Sequence, residues 1–95
     1  MVKHVVMFKL KDRRKKNVAK VAEKIRSMKG KIEVVKDLEV GTDFMKSERS
    51  FDLVLTVQLA NKEDLEEYAK HPVHQPVLAY LKEAADQVIA VDYQV

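Results

Sequence analysis

Residues 51 to 59, FDLVLTVQL, put Phe51, Leu53, Leu55, Val57 and Leu59 at every odd position of a strongly β-prone run. Side chains alternate across a strand, so one face here is wholly apolar and has to be covered. A chain of 95 residues makes one domain, spanning 1–95, and the cover must come from its own helices. Residues 2 to 10, VKHVVMFKL, predict a second strand with His4, Val6, Phe8 and Leu10 on one face. Val5 and Met7 make its other face apolar too, which implies a sheet covered on both sides. Residues 32 to 40, IEVVKDLEV, alternate Ile32, Val34, Leu38 and Val40 against Glu33, Asp37 and Glu39, and Gly41 is expected to end that strand. Residues 87 to 95 predict the last one.

Helical spacing fills the gaps. Val18, Val21, Ala22, Ile25 and Met28 recur on one face of a helix capped by Asp12 and closed by Gly30. Asn61 with Asp64 resembles a cap for a second helix, whose inner face is Leu65, Tyr68 and Ala69. Val77, Leu78, Leu81, Ala84 and Ala85 mark a third, with Pro76 in its first turn. The segment TDFMKSERS, residues 42 to 50, is a long loop whose apolar Phe44 and Met45 serve as a flap or a subunit contact. The order βαββααβ is the ferredoxin-like α+β plan, an antiparallel sheet with its helices on one side. Its open face should be polar, yet Val5, Met7, Val35 and Val54 fall there. A homodimer with two sheets face to face is therefore expected.

Composition removes several function classes. The absence of cysteine excludes disulfides, thiolate nucleophiles and cysteine metal sites, and it fits a reducing compartment. No apolar run approaches the roughly 20 residues that span a bilayer and no export signal is evident, so a cytoplasmic location away from membranes is expected. The net charge of +3 comes from KLKDRRKK, residues 9 to 16, with six basic side chains against Asp12. No interleaved aromatics or reading motif accompany it, so it reads as a solvated helix start and not as a nucleic-acid site. No HExxH spacing, glycine-rich phosphate loop, serine elbow or dinucleotide fingerprint is present, and neither a metal nor a cofactor is expected.

Polar chemistry gathers in YAKHPVHQP, residues 68 to 76. Pro72 lacks an amide hydrogen and disfavours helix at His71, so one helix should stop there and the next begin beyond it. Tyr68, His71 and His74 then sit around a helix break. His4 and Asp92 should approach each other, because the last strand runs antiparallel beside the first. A neutral imidazole accepts a proton and a phenol donates a hydrogen bond to an enolate oxygen, which is the minimum set for proton abstraction beside a carbonyl. The alternative is that these groups bond one another and the backbone, stapling the break to the sheet. His71 is expected to cap the preceding helix or face solvent.

VKHVVMFKLKD at the start, EEYAKHPVHQPVL in the middle and VDY at residues 91 to 93 together resemble the stress-responsive dimeric α/β-barrel (Dabb) family over essentially the whole chain. The family includes stress-associated plant proteins and the polyketide cyclase that makes olivetolic acid. The resemblance implies a subunit pairing through its sheet into a barrel. By motif position it also implies catalytic roles for Tyr68, His74, His4 and Asp92, with His74 as general base and Tyr68 as oxyanion donor in a cofactor-free reaction. Leu53 stands where the cyclase has a further histidine, and the aromatics of its substrate pocket give way to smaller or charged groups. Two functions are carried forward. One is a dimeric stress-response module holding a small hydrophobic or aromatic ligand beside Tyr68 and His74, in a pocket lined by Val6, Phe8, Leu53, Leu55 and Val77. The other is a cyclase- or isomerase-like enzyme. A cavity of at least about 300 Å³ touching both Tyr68 and His74 would favour a ligand site or an enzyme, and a filled interior a purely structural role.

Overall fold

The computed structural model describes residues 1–95 as β1 (Val2–Leu10), α1 (Lys15–Arg26), β2 (Val35–Thr42), β3 (Leu53–Leu59), α2 (Lys62–Lys70), α3 (His74–Ala84) and β4 (Ala85–Gln94). The strands form one antiparallel sheet in the order β2-β3-β1-β4, with the helices on one side. This is the ferredoxin-like α+β fold. No helix is long and apolar enough to cross a membrane.

The alternation that defines β3 is the reason for the two layers. Leu53, Leu55, Val57 and Leu59 are all buried, and they meet Val18, Val21, Ala22 and Ile25 of α1 and Tyr68, Val77 and Leu81 of the helix pair in one core. In β1, Val6, Phe8 and Leu10 join the same core. Direct pairing of Val5 with Val91 and of Met7 with both Val54 and Ile89 puts these side chains together on the opposite face. There Met7, Ile89, Val91 and Tyr93 are exposed, and Val91 keeps 63% of its surface in contact with water. Val35 is a correction to the expected open face. A register shift between Val35 and Asp37 turns it inward, and it packs against the core with Val34.

Both ends of β2 and of α1 also differ from the sequence reading. The second strand starts at Val35, because residues 32 to 35 close a turn in which the Val35 amide donates to the Ile32 carbonyl at 3.2 Å. It continues through Gly41, where a side chain would press Val54 Cγ1 at 3.3 Å, so glycine permits close strand approach rather than ending the strand. The first helix stops at Arg26, short of Gly30, whose φ of +78° belongs to the turn that follows. Asp12 does not cap it either. Its carboxylate accepts from the backbone and guanidinium of Arg14, which holds its pKa down at about 2, and the helix starts without a side-chain cap. The Asn61 cap is as expected, its side-chain oxygen accepting the Asp64 amide at 2.8 Å.

Candidate functional site

Pro72 shapes the site locally. His71, just before it, is extended at φ −63°, ψ 138°, and this breaks α2 from α3. Amides of His74 and Gln75 donate back to the His71 carbonyl at 2.9 and 3.2 Å, so the chain reverses within four residues. His71 is the C-cap residue of α2, as expected, its amide donating to the Tyr68 carbonyl at 3.2 Å, while its ring is turned away from solvent. Its Nδ1 accepts the Val73 amide at 3.0 Å, which leaves Nε2–H to donate to Glu33 at 3.1 Å. It braces the turn into α3, because the extended backbone at position 71 throws the side chain forward.

The reversal brings Tyr68 and His74 together. Their ring centroids lie 4.6 Å apart at 45°, and the His4 ring meets Tyr68 edge-on at 5.8 Å. His4 is the direct partner of Asp92 in the β1–β4 register, and its Nδ1–H donates to the Asp92 carboxylate. All four residues named from the sequence as a catalytic group therefore form one row: Asp92, His4, Tyr68, His74.

The row is ordered electrostatically. Nδ1–H of His74 donates to the Ala69 carbonyl at 3.0 Å, which leaves Nε2 with its lone pair free. The Gln75 side chain donates to that carbonyl as well, at 2.7 Å. Burial pulls the His74 pKa below the ordinary histidine value, with the charges of His4 and His71 acting the same way and the Ala69 contact opposing. Burial pushes the Tyr68 phenol up to about 12. The Tyr68 hydroxyl is fully buried and finds no hydrogen-bond partner within the chain.

The His74 shift fixes a pH prediction. Because its folded pKa lies below the unfolded value, the unfolded chain binds more protons, and the stability from neutral His74 is present above about pH 6.5 and lost as pH falls below it. Urea midpoints measured between pH 7.5 and 5 should fall for the native sequence and fall less for His74→Gln. Equal slopes for the two proteins would contradict the assignment.

Val6, Phe8, Leu53, Leu55 and Val77, expected to line a ligand pocket, are all buried in the core cluster. They fill the space between sheet and helices, and of the five only Leu53 reaches a cleft, one of about 240 Å³ beside Met7, Gly41 and Val54 and away from Tyr68 and His74. None of the chain's five main clefts touches Tyr68 or His74, so the expected cavity between the two is closed in the isolated chain. One cleft reaches the row from outside. It has about 460 Å³, lies between α2 and the end of β4, and is lined by Val2, Lys62, Leu65, Glu66, Asp92, Tyr93 and Gln94. No group of three or more His, Asp or Glu side chains is arranged to hold a metal ion.

Sequence reasoning missed Asp52, which alternation had placed on the polar side of β3. It is the one buried charged residue, 1% exposed. Its carboxylate accepts the Leu10 amide at 2.8 Å and Arg13 Nε at 3.1 Å, while Arg13 also donates to the Ser50 carbonyl at 2.9 Å. An acid entering an otherwise apolar strand was the available signal.

Against known proteins, the family model described as Stress responsive A/B Barrel Domain matches residues 2–95. SCO4036, an uncharacterised protein of Streptomyces coelicolor, is 31% identical over 97 residues, covering 99% of both chains. Among solved structures, a dimeric protein of unknown function and ferredoxin-like fold from Bacteroides fragilis is 30% identical, with a TM-score of 0.85 over 99% of this chain and 95% of that one. A hydroxynitrile lyase from Passiflora edulis shares the fold at 14% identity, with a TM-score of 0.83 over 99% of this chain and 92% of that one.

Proposed function

The chain belongs to the stress responsive A/B barrel domain family, and from that premise we propose that it is a homodimer whose subunits bind a small hydrophobic or aromatic ligand through an oxygen held by Tyr68. The dimer reading is supported by the exposed apolar sheet face and by the dimeric B. fragilis structure, which is similar over nearly the whole chain.

The ligand reading rests on one observation, the buried Tyr68 hydroxyl without a partner. Such a group costs roughly 1–3 kcal/mol if left unpaired, and a ligand carbonyl or carboxylate recovers that loss. The imidazole beside it has its Nδ1 committed to Ala69, so Nε2 is the atom that faces a ligand. The cleft that Asp92 lines is the way in, since Asp92 bonds His4 and His4 touches Tyr68.

Two features favour proton-transfer chemistry as a second reading. Burial keeps the His74 imidazole neutral at pH 7, fit to act as a base. The phenol, with a pKa of about 12, stays protonated and can donate to a developing oxyanion. His4, fixed by Asp92, would position the phenol. No cofactor is needed for this step. The same fold carries a lyase in Passiflora edulis, and the likeness there is one of fold alone.

Tyr68→Phe separates binding from structure. Removing an unpartnered hydroxyl should leave the free protein as stable or raise it by up to about 1 kcal/mol. The same change should weaken binding of small aromatic acids about tenfold, read as loss of the thermal shift they give the native protein. Marked destabilisation of the free variant, or unchanged binding by it, would overturn the ligand reading.

A further inference from the structure

The corner where the β1–α1 turn meets the β2–β3 loop combines two features that the row of Tyr68 and His74 does not use. Phe44 and Met45, at the tip of that loop, are 87% and 69% exposed, and Phe44 is the most exposed large apolar side chain in the protein. Around them the charge is strongly one-sided. Residues 9 to 31 hold eleven of the chain's 18 lysines and arginines but only two of its 15 acids. Arg13, Arg14, Arg26 and Lys29 are paired with Asp52, Asp12, Glu23 and Asp37. Lys11, Lys15, Lys16 and Lys20 have no carboxylate partner, nor do Lys46 and Arg49 on the loop, and all six are exposed.

The fold brings these groups together. Arg13 bonds Ser50 and Asp52, which ties the β1–α1 turn to the loop. Lys15, Val18 and Ala19 share a cleft of about 350 Å³ with Phe44 and Lys46. The Asp43 carboxylate accepts the Lys46 amide at 2.8 Å, and Asp43 and Glu48 are the two acids of the loop against Lys46 and Arg49.

We propose that this corner docks on an anionic lipid bilayer, Phe44 and Met45 entering the headgroup boundary while the free lysines and Arg49 meet the anionic headgroups. A basic face with an adjoining apolar tip is what a charged interface binds. Two neighbouring apolar side chains, one of them a non-stacking methionine, fit lipid better than the aromatic series that strings out nucleic-acid bases. The run at residues 9 to 16, read alone as a solvated helix start, gains this role only through what the fold sets beside it.

Flotation with vesicles of phosphatidylcholine, with and without about 30% phosphatidylserine, tests the proposal on the full chain. Each free cation near such a surface is worth about 1 kcal/mol, so the acidic vesicles should bind at least about tenfold tighter, and less so at high salt. The double variant Phe44→Ser, Met45→Ser should bind them about tenfold more weakly while its melting temperature and solution mass stay unchanged. Equal binding to both vesicle types would overturn the proposal. So would a double variant that binds acidic vesicles normally or loses its native assembly, or a native protein that binds an oligonucleotide as tightly as it binds acidic vesicles.

Discussion

Val91→Asp should convert a dimer into a monomer. Val91 sits opposite Val5 on the open face of the sheet, beside Ile89 and Met7, and is 63% exposed in the single chain. If a second sheet covers that face, the aspartate is a charge buried without a partner in each subunit. A buried charge left without a partner costs about 3–5 kcal/mol and each subunit carries one, so dimer affinity should fall roughly a thousandfold or more. In an isolated subunit the same carboxylate would stand in water, and far-UV circular dichroism should barely change. Sedimentation velocity distinguishes the cases. A variant that still dimerises at low micromolar concentration would show that this face is not the contact.

The second large effect concerns Asp52. Its carboxylate receives the Leu10 amide and the Arg13 guanidinium, so it joins the end of β1, the turn before α1 and the start of β3. Asp52→Ala strands the buried Leu10 amide and frees Arg13, a loss of about 2–4 kcal/mol. For a domain of this size each kcal/mol is worth roughly 4–8 °C, so the melting temperature should drop by at least about 10 °C. Asp52→Asn keeps an oxygen for the Leu10 amide and gives up the charge, and should recover part of the loss. A drop of only a few degrees for the alanine variant would mean that the turn is held by other contacts.

The fold was legible because β3 and β1 carry their patterns in single residues. Leu53, Leu55, Val57 and Leu59 are apolar without interruption, and every one is buried. Boundaries were harder, since they depend on hydrogen bonds that a side-chain pattern does not encode. Ile32 is as apolar as a strand residue, but the Val35 amide closes a turn on its carbonyl. The row of Asp92, His4, Tyr68 and His74 was legible from Pro72 and from the antiparallel pairing of β1 with β4. The closed interior was not, because volume is set by how Val6, Phe8, Leu55 and Val77 interdigitate. The cap at His71 was legible, but the bracing by its ring escaped for a related reason. Its role depends on a backbone angle, and the sequence shows only that a proline follows.

The proposed homodimer depends on Met7, Ile89, Val91 and Tyr93, an apolar outer sheet face that a single subunit leaves in water. Sedimentation equilibrium of the native protein, diluted from about 50 to 1 μM, a range in which stable interfaces persist, tests this most directly. A stable homodimer keeps twice the 11.0 kDa chain mass throughout. A single-chain mass across that range, with the fold intact, would contradict it.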